Sequence, residues 1–126
     1  YAVKTAVAKG YTICILTGGG NVGVQKRFEN LGVTDLFMLR HQKLSTFLEY
    51  QKSKGLKTEQ ILYMGDDLPD ISPMRHAGLA TCPQDAVPEV KAVAHYISHR
   101  EGGQGAVRDV IEQVLKVRGD WEVPNM

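Results

Sequence analysis

The sequence has no apolar run long enough to cross a bilayer, which takes about 20 residues, and no signal peptide is visible. It also has no excess of one charge, because 15 lysines and arginines are scattered among 14 aspartates and glutamates. Runs of like charge that would bind nucleic acid or an acidic membrane are therefore missing. We expect no nucleic acid and no membrane among its partners, whereas a small anion held at one site fits this composition.

Cysteine is scarce, and the two cysteines present do not form a metal-binding motif. Cys14 and Cys82 each lie inside an apolar, strand-like run, which predicts reduced thiols in the protein core. Reduced thiols and the lack of a visible signal peptide together predict a cytoplasmic protein. Internal repeats, linkers and low-complexity segments are absent too, so the 126 residues fit a single domain with its own core.

The first residues include no methionine and are already helical in pattern. The stretch Tyr1-Ala2-Val3-Lys4 predicts the start of a helix that has no strand before it. We therefore expect that an N-terminal segment, including the first strand of the fold, belongs in front of residue 1. Any chemistry carried on that segment would not be visible in these residues.

The rest of the chain alternates short apolar runs with amphipathic stretches, and glycines mark most of the turns. The apolar runs predict five strands, at residues 12–16, 35–39, 61–64, 79–82 and 95–98. Helical spacing predicts six helices, at residues 2–9, 24–31, 44–55, 71–78, 87–93 and 107–115. Leu48 and Val107 are assigned to the apolar faces of their helices. The tail, residues 119–126, has no interpretable pattern.

Alternation of strands and helices with short turns is typical of an α/β fold, in which a parallel sheet carries helices on both faces. Ligands bind such sheets at the carboxyl ends of the strands, near a topological switch point. We therefore expect the loops at residues 17–21, 40–43 and 65–70 to converge on one site.

Three carboxylates follow the third predicted strand within five residues: Asp66, Asp67 and Asp70. Carboxylates held so close repel one another, and a hard divalent cation is the usual means of neutralising them. The simpler alternative is that Asp66 or Asp67 only caps the short helix that Pro69 starts. Capping accounts for one carboxylate and not for three, so the pattern favours a metal site.

Two further loops could hold a phosphate beside this cluster. Thr17 offers a hydroxyl and Gly18-Gly19-Gly20 offer backbone N–H groups before a helix, although the same glycines could form only a tight turn. Lys43 begins a helix, where its charge opposes the helix dipole, so a lysine there fits better if it faces a phosphate and aspartates. Asp70 could hold the Lys43 ammonium in place. A threonine, a lysine and an acidic pair at successive strand ends are typical of magnesium-assisted phosphoryl transfer.

These motifs resemble those of a known family. Thr17-Gly18, Lys43 and Gly65-Asp66-Asp67-Leu68-Pro69-Asp70 are similar, in order and spacing, to the second, third and fourth motifs of the haloacid dehalogenase superfamily of phosphatases. Residues 100–109, REGGQGAVRD, resemble the tail of its small capless branch, which includes the 3-deoxy-D-manno-octulosonate 8-phosphate phosphatases. The resemblance covers nearly the whole chain and implies a Rossmann-like parallel sheet.

The resemblance also implies a role for each matching residue. Asp66 would bind Mg²⁺ directly, and Asp67 would act through metal-bound water or neighbouring hydrogen bonds. Thr17 and the Gly18 amide would hold the phosphoryl oxygens, while Lys43 would balance charge between the phosphate and the nucleophile. Asp70 would orient Lys43 or a loop.

The substrate and the assembly follow from the same resemblance. It implies hydrolysis of a 2-keto-3-deoxy sugar acid phosphate, such as the octulosonate 8-phosphate or a nonulosonate 9-phosphate, in lipopolysaccharide biosynthesis. It also implies a homotetramer, in which the tail of one subunit helps to close a neighbour's site. Arg27 matches an arginine that can bind the substrate carboxylate, although it could equally be a solvated helix residue.

The chain departs from the family pattern at two predicted substrate contacts. Gly19 stands where the octulosonate phosphatases tend to have a larger polar residue, and Gln104 stands where the tail often has lysine or arginine. The exact sugar acid therefore stays open. Together with Arg27, these two residues make up the predicted substrate-binding set.

One motif of the family is missing. Its Asp-x-Asp, which supplies the nucleophile and the general acid, occurs nowhere in these residues. The resemblance places that motif upstream, so an aspartyl-phosphate intermediate needs a residue outside this chain, and the 126 residues alone should not turn over. An alternative is a non-catalytic oligomerisation domain associated with sugar-acid activation. A receiver-type signalling domain is disfavoured, because its acidic pair belongs near the first strand and its lysine near the last.

Overall fold

The computed structural model describes residues 1–16, 26, 29–33, 35–37 and 42–121. The helices are Ala2–Ala8 (α1), Lys43–Lys54 (α2), Ile71–His76 (α3), Pro88–Val93 (α4) and Ala106–Val117 (α5). The strands are Cys14–Leu16 (β1), Asp35–Phe37 (β2), Leu62–Met64 (β3), Leu79–Cys82 (β4) and Tyr96–Ile97 (β5). Single 3₁₀ turns occupy Thr58–Gln60 and Leu68–Asp70. Most of the helix predicted at residues 24–31 lies outside the described residues, but Lys26, Glu29 and Asn30 are helical.

All strand pairs in the described residues are parallel. β1 pairs with β2, and β4 lies between β3 and β5, with Leu62 opposite Leu79 and Cys82 opposite Ile97. Parallel strands joined through helices confirm the predicted α/β class. The chain divides into two compact units, one formed by Tyr1–Arg40 with Val110–Met126 and the other by His41–Asp109.

The second unit builds its core on one face of the β3–β4–β5 sheet. Side chains alternate between the two faces of a strand, so Ala80 and Cys82 of β4 point the same way, and both are completely buried. They pack against Met74 of α3 and Val90 of α4, which are also buried. The Cys82 thiol lies in this core, as predicted, and burial raises its pKa. This core holds the carboxyl end of β3 next to the start of α3.

Helix α2 is fixed on the sheet by one aromatic contact. Phe47 is its buried residue, and its ring meets that of Tyr63 edge to face, with the centroids 5.9 Å apart. Leu48 is 41% exposed, so its assignment to the buried face was wrong. Gly55 ends the helix in a left-handed conformation, with φ of 64°. Lys43 lies one turn before Phe47 and therefore on the same side of the helix.

Helix α5 is buried along a stripe that differs from the predicted one. Ala106, Val110 and Leu115 are buried, whereas Val107 is 54% exposed, so its placement on the apolar face was wrong. Val107 is rotated by about 100° around the helix from the buried Ala106 and lies on the exposed side of this turn of the helix. The amphipathic helix itself was predicted correctly.

The first unit is closed by contacts between its two chain segments. The Tyr11 hydroxyl donates to Asp120 Oδ2 at 2.7 Å, and the Arg118 guanidinium lies 5.5 Å from the centre of the Tyr11 ring. The rings of Tyr1 and Trp121 meet edge to face at 5.6 Å. The first residues of the tail that had no interpretable pattern thus contact Tyr1 and Tyr11, which flank α1, and residues 122–126 lie outside the description. No helix within the described ranges is long and apolar enough to cross a bilayer.

Candidate active site

The turn after β3 places three aspartates at the carboxyl end of the sheet. Pairing with β4 continues one residue past the strand, where the Gly65 N–H donates to the Thr81 carbonyl at 3.1 Å. Asp67 then caps the 3₁₀ turn, because its Oδ1 accepts the Leu68 N–H at 2.7 Å. The capping alternative is therefore correct for Asp67. It leaves the other two carboxylates to be explained.

Asp70 is a buried acceptor for four donors, and only 3% of the residue is exposed. Its Oδ1 accepts from Lys43 Nζ at 2.9 Å and from the Tyr63 hydroxyl at 2.7 Å. Its Oδ2 accepts from the backbone N–H groups of Asp66 and Asp67, at 3.0 and 3.2 Å. The expected contact between Lys43 and Asp70 is present. Through it, one side chain joins α2, β3 and the turn.

The two carboxylates respond in opposite ways to this environment. Burial acts most strongly on the pKa of Asp70 and would raise it, but the hydrogen bonds from Lys43, Tyr63 and the Asp66 amide outweigh burial and lower it. Partial burial raises the pKa of Asp66, and the negative charge of Asp70 raises it further. Ionised Asp70 is thus stabilised by its partners, whereas ionised Asp66 is held at a cost that a cation would relieve.

Gly65 makes the approach of Asp70 possible. A Cβ at this position would overlap Asp70 Cβ and lie 2.8 Å from its Cγ and 2.9 Å from Met74 Sδ. These atoms belong to a buried side chain with both oxygens engaged, so they cannot move away cheaply. Gly65 therefore leaves room for the Asp70 side chain, in addition to ending the strand.

Only one of the three clustered aspartates is left as a candidate metal ligand. Three clustered carboxylates suggested a cation, but Lys43 neutralises Asp70 and Asp67 caps a turn, so Asp66 is the remaining candidate ligand. Within the described residues there is no group of three His, Cys, Asp or Glu side chains that could hold an ion. Mg²⁺ needs only one or two protein carboxylates when phosphate and water complete its shell. Asp66 fits that use because its negative charge is poorly compensated.

A family comparison agrees with this site. A family model described as haloacid dehalogenase-like hydrolase matches residues 34–111, which is more than half of the chain and includes the whole Asp66–Asp70 turn. The chain belongs to this family.

Individual members of the family are similar over nearly all of the chain. The 3-deoxy-D-manno-octulosonate 8-phosphate phosphatase KdsC of Yersinia pestis is 32% identical over 122 residues, which cover 97% of this chain and 65% of the relative. A crystal structure of that phosphatase from Yersinia pestis superposes with a TM-score of 0.92 at 31% identity, covering 95% of this chain and 65% of the other. The chain thus spans about 65% of the length of these relatives.

A second relative was solved with ligands. The 3-deoxy-D-manno-octulosonate 8-phosphate phosphatase of Moraxella catarrhalis, in complex with a magnesium ion, a phosphate ion and a KDO molecule, superposes with a TM-score of 0.88 at 31% identity. The match covers 91% of this chain and 66% of that one. These ligands belong to the relative.

Several predicted site residues of the chain lie outside the described residues. They are Thr17, Gly18, Gly19 and Arg27, so the phosphate-binding and carboxylate-binding assignments stay predictions. The convergence of loop 17–21 on the other two loops also stays a prediction. Gln104 is exposed in the turn before α5, where its N–H donates to the Glu101 carbonyl at 3.0 Å. Its substrate contact also stays a prediction.

The sequence did not reveal two residues that shape the site. Tyr63 was counted only as part of an apolar strand, yet its hydroxyl binds Asp70. A tyrosine in a buried strand usually finds a hydrogen-bond partner, which was the available signal. Gly65 was interpreted as the end of the strand, and its spacing role has no signal in a single sequence.

We expect Lys43→Met to lower the free energy of unfolding of the full-length protein by about 2 kcal/mol, because it leaves the buried Asp70 carboxylate without its cation. Urea unfolding at pH 7 without Mg²⁺ measures this loss. Lys52→Met is the matched control: Lys52 lies on the same helix and is exposed, so its replacement should cost no more than about 0.5 kcal/mol. Equal stability of the two variants would contradict the assigned ion pair.

The Lys43 effect should also depend on pH. The lowered pKa of Asp70 means that its stabilisation is complete above about 3.8, the ordinary value, and is lost as the pH falls through the folded-state pKa. The stability difference between wild type and Lys43→Met should therefore be full at neutral pH and shrink in acid, as Asp70 takes up a proton. A difference that stays constant down to strongly acidic pH would contradict this assignment.

Proposed function

We propose that the full-length protein is a Mg²⁺-dependent phosphatase that hydrolyses a 2-keto-3-deoxy sugar acid phosphate, either 3-deoxy-D-manno-octulosonate 8-phosphate or a nonulosonate 9-phosphate. The observation that carries the proposal is the lysine at 2.9 Å from Asp70, beside the poorly compensated Asp66, at the carboxyl end of a parallel strand. The substrate class is supported by the activity of the similar phosphatases, which act on 3-deoxy-D-manno-octulosonate 8-phosphate.

Asp66 is the proposed Mg²⁺ ligand. When bound, the ion would neutralise charge on the phosphoryl group and orient it. Asp66 suits this use because the residue is accessible to solvent at the strand end, while partial desolvation of its carboxylate and the nearby Asp70 disfavour its charge in the absence of a cation. The remaining ligands would come from the substrate, water and residues beyond the described ranges.

Lys43 is the proposed cation that stabilises negative charge on the phosphoryl group during transfer. Its ammonium has three donors, and Asp70 engages one of them, so the others remain to bind phosphoryl oxygens. Asp70 fixes the position of the ammonium, which limits the reorganisation needed when the substrate arrives. Asp67 supports the turn by capping it, and any direct part in the reaction stays a prediction.

The remaining roles follow the family assignment. Thr17 and the Gly18 amide would hold phosphoryl oxygens, and Gly19, Arg27 and Gln104 would contact the sugar acid. The carboxylate nucleophile, which would form an aspartyl-phosphate intermediate, is assigned to a segment upstream of residue 1. A cytoplasmic location and a homotetramer, in which a neighbour's tail closes the site, are part of the same proposal.

A phosphate-release screen of the full-length protein tests the proposed substrate class. We expect Mg²⁺-dependent release from the two keto acid phosphates, with a kcat/KM at least about 100-fold above that for neutral hexose phosphates, because charged carboxylate recognition adds a strong polar contact. Neutral hexose phosphates that outcompete both keto acids would overturn the substrate class. Release from none of them would favour the alternative, a non-catalytic oligomerisation domain.

A further inference from the structure

One surface loop of the second unit is hydrogen-bonded both to the Asp66–Asp70 turn and to a second surface loop. We call residues 83–87, between β4 and α4, the bridge loop, and residues 100–105, between β5 and α5, the glycine loop. The Val87 N–H donates to the Asp66 carbonyl at 3.1 Å, and the Gln84 N–H donates to the Arg100 carbonyl at 2.8 Å. The bridge loop therefore links the main chain of the candidate metal ligand to the main chain of the glycine loop.

All three segments lie at the same edge of the sheet. β3, β4 and β5 are parallel, and the turn, the bridge loop and the glycine loop each follow the carboxyl end of one of them. Ligands of open parallel sheets bind at this edge. A substrate whose phosphate lies at the turn would thus extend its other end along the neighbouring loops.

The start of the glycine loop is fixed from the core. The Arg100 N–H donates to Ser98 Oγ at 3.0 Å, and the Ser98 hydroxyl donates to the buried Asp109 carboxylate at 2.7 Å. Its tip has backbone that favours glycine, because φ is 76° at Gly103 and 100° at Gly105. Glycines lose more backbone entropy on ordering than other residues do, so a contact at the centre of the loop helps to hold one conformation.

Asp85 supplies that central contact. Its Oδ1 accepts the Gly102 N–H at 2.7 Å, across 17 residues of chain. Aspartate is common in turns because its side chain can bond its own backbone, but here the carboxylate reaches a different loop. The distance is short and the acceptor is a carboxylate, as is typical of charge-assisted hydrogen bonds.

We propose that Asp85 is a positioning residue, which holds the glycine loop through Gly102 and thereby sets Gln104 for contact with the sugar-acid end of the substrate. The substrate in this proposal is that of the proposed function, on which the proposal therefore rests. The new element is the residue that orders the glycine loop. Asp85 does not touch the reacting atoms. Its effect should therefore fall on substrate binding and not on phosphoryl transfer.

Steady-state kinetics of the full-length protein with Mg²⁺ test this role on two substrates. The preferred keto acid phosphate uses the glycine loop, whereas para-nitrophenyl phosphate offers only the phosphate. For Asp85→Ala we expect KM for the keto acid phosphate to rise about fivefold, with kcat nearly unchanged and with unchanged constants for the aryl phosphate. Asp85→Asn keeps an Oδ1 acceptor and should restore most of the binding. Glu89→Ala removes a nearby exposed charge and should behave as wild type.

Hydrogen exchange of the Gly102 amide supplies a readout that does not depend on activity. Exchange should be faster in Asp85→Ala than in wild type, in Asp85→Asn and in Glu89→Ala. Unchanged KM and exchange in Asp85→Ala, or equal losses on both substrates, would overturn the positioning role. A wild type that releases no phosphate from any keto acid would instead overturn the proposed function, and the exchange rates would still decide whether Asp85 holds the loop.

Discussion

Asp66→Asn in the full-length protein is expected to abolish Mg²⁺-dependent phosphate release while leaving the protein folded. An amide carries no charge and is a poor ligand for a hard cation. Mutating a residue that only supports a metal ligand costs up to about 100-fold in activity, so loss of the ligand itself should lower kcat/KM by more than about 100-fold. Phosphate release at saturating Mg²⁺ measures this loss. Glu59→Gln removes an exposed carboxylate elsewhere in the unit and should retain wild-type activity.

The same variant separates metal binding from folding. Ionised Asp66 is held at a cost, since burial and the charge of Asp70 raise its pKa, so at neutral pH and without metal Asp66→Asn should be at least as stable as wild type. Mg²⁺ should raise the melting temperature of wild type and not that of the variant, because an ion that binds only the folded state stabilises it. Full turnover, or an equal Mg²⁺ response in both proteins, would contradict the assignment of Asp66 as a ligand.

Gly65→Ala is expected to have the largest effect on stability. The added methyl group would overlap Asp70 and approach Met74 Sδ to 2.9 Å, so Asp70 must move away from its donors or the turn must shift. We expect a loss of at least about 3 kcal/mol in the free energy of unfolding, and a melting temperature lower by about 10 °C. Thermal and urea unfolding of the full-length protein measure both quantities.

Gly102→Ala is the control for this substitution. Gly102 is also a loop glycine, but the nearest atom to an added Cβ is Asp85 Oδ1 at 3.4 Å, an ordinary contact distance. Its replacement should therefore change stability by less than about 1 kcal/mol. If Gly65→Ala were as stable as Gly102→Ala, there would be room for a methyl group at residue 65, and the close packing of Asp70 against Gly65 would be contradicted.

The fold was largely predictable because its signals are local. β4 occupies the predicted residues, and β1, β2, β3 and β5 lie within the predicted strands with shorter ends. Periodicity identified helix α2 and its glycine stop, but it placed Leu48 on the buried face, although the residue is 41% exposed. A repeat of 3.6 residues shows that a helix has an apolar face without showing how wide a stripe its neighbours cover.

The site was predictable in part. Contacts that depend on how separate elements pack together could not be predicted from one sequence. The motif spacing predicted that Lys43 and Asp70 would meet, which they do at 2.9 Å. It did not predict that the Tyr63 hydroxyl shares the same carboxylate oxygen, because that contact depends on how β3 faces α3. It also treated the three aspartates as one charged cluster, whereas hydrogen bonding gives Asp67 and Asp70 separate structural roles.

The four donors around Asp70 have a consequence for how this position can vary. Each carboxylate oxygen already accepts two hydrogen bonds, and three of the four donors, the Lys43 ammonium and two backbone N–H groups, cannot act as acceptors. Asparagine has almost the same shape, but its NH₂ group would meet either the Lys43 ammonium or the two backbone amides, whichever way the amide is flipped. Asparagine is therefore the replacement closest to Asp70 in shape, yet it puts a donor group where the surrounding groups need an acceptor. Similarity of shape would underestimate the effect of this substitution.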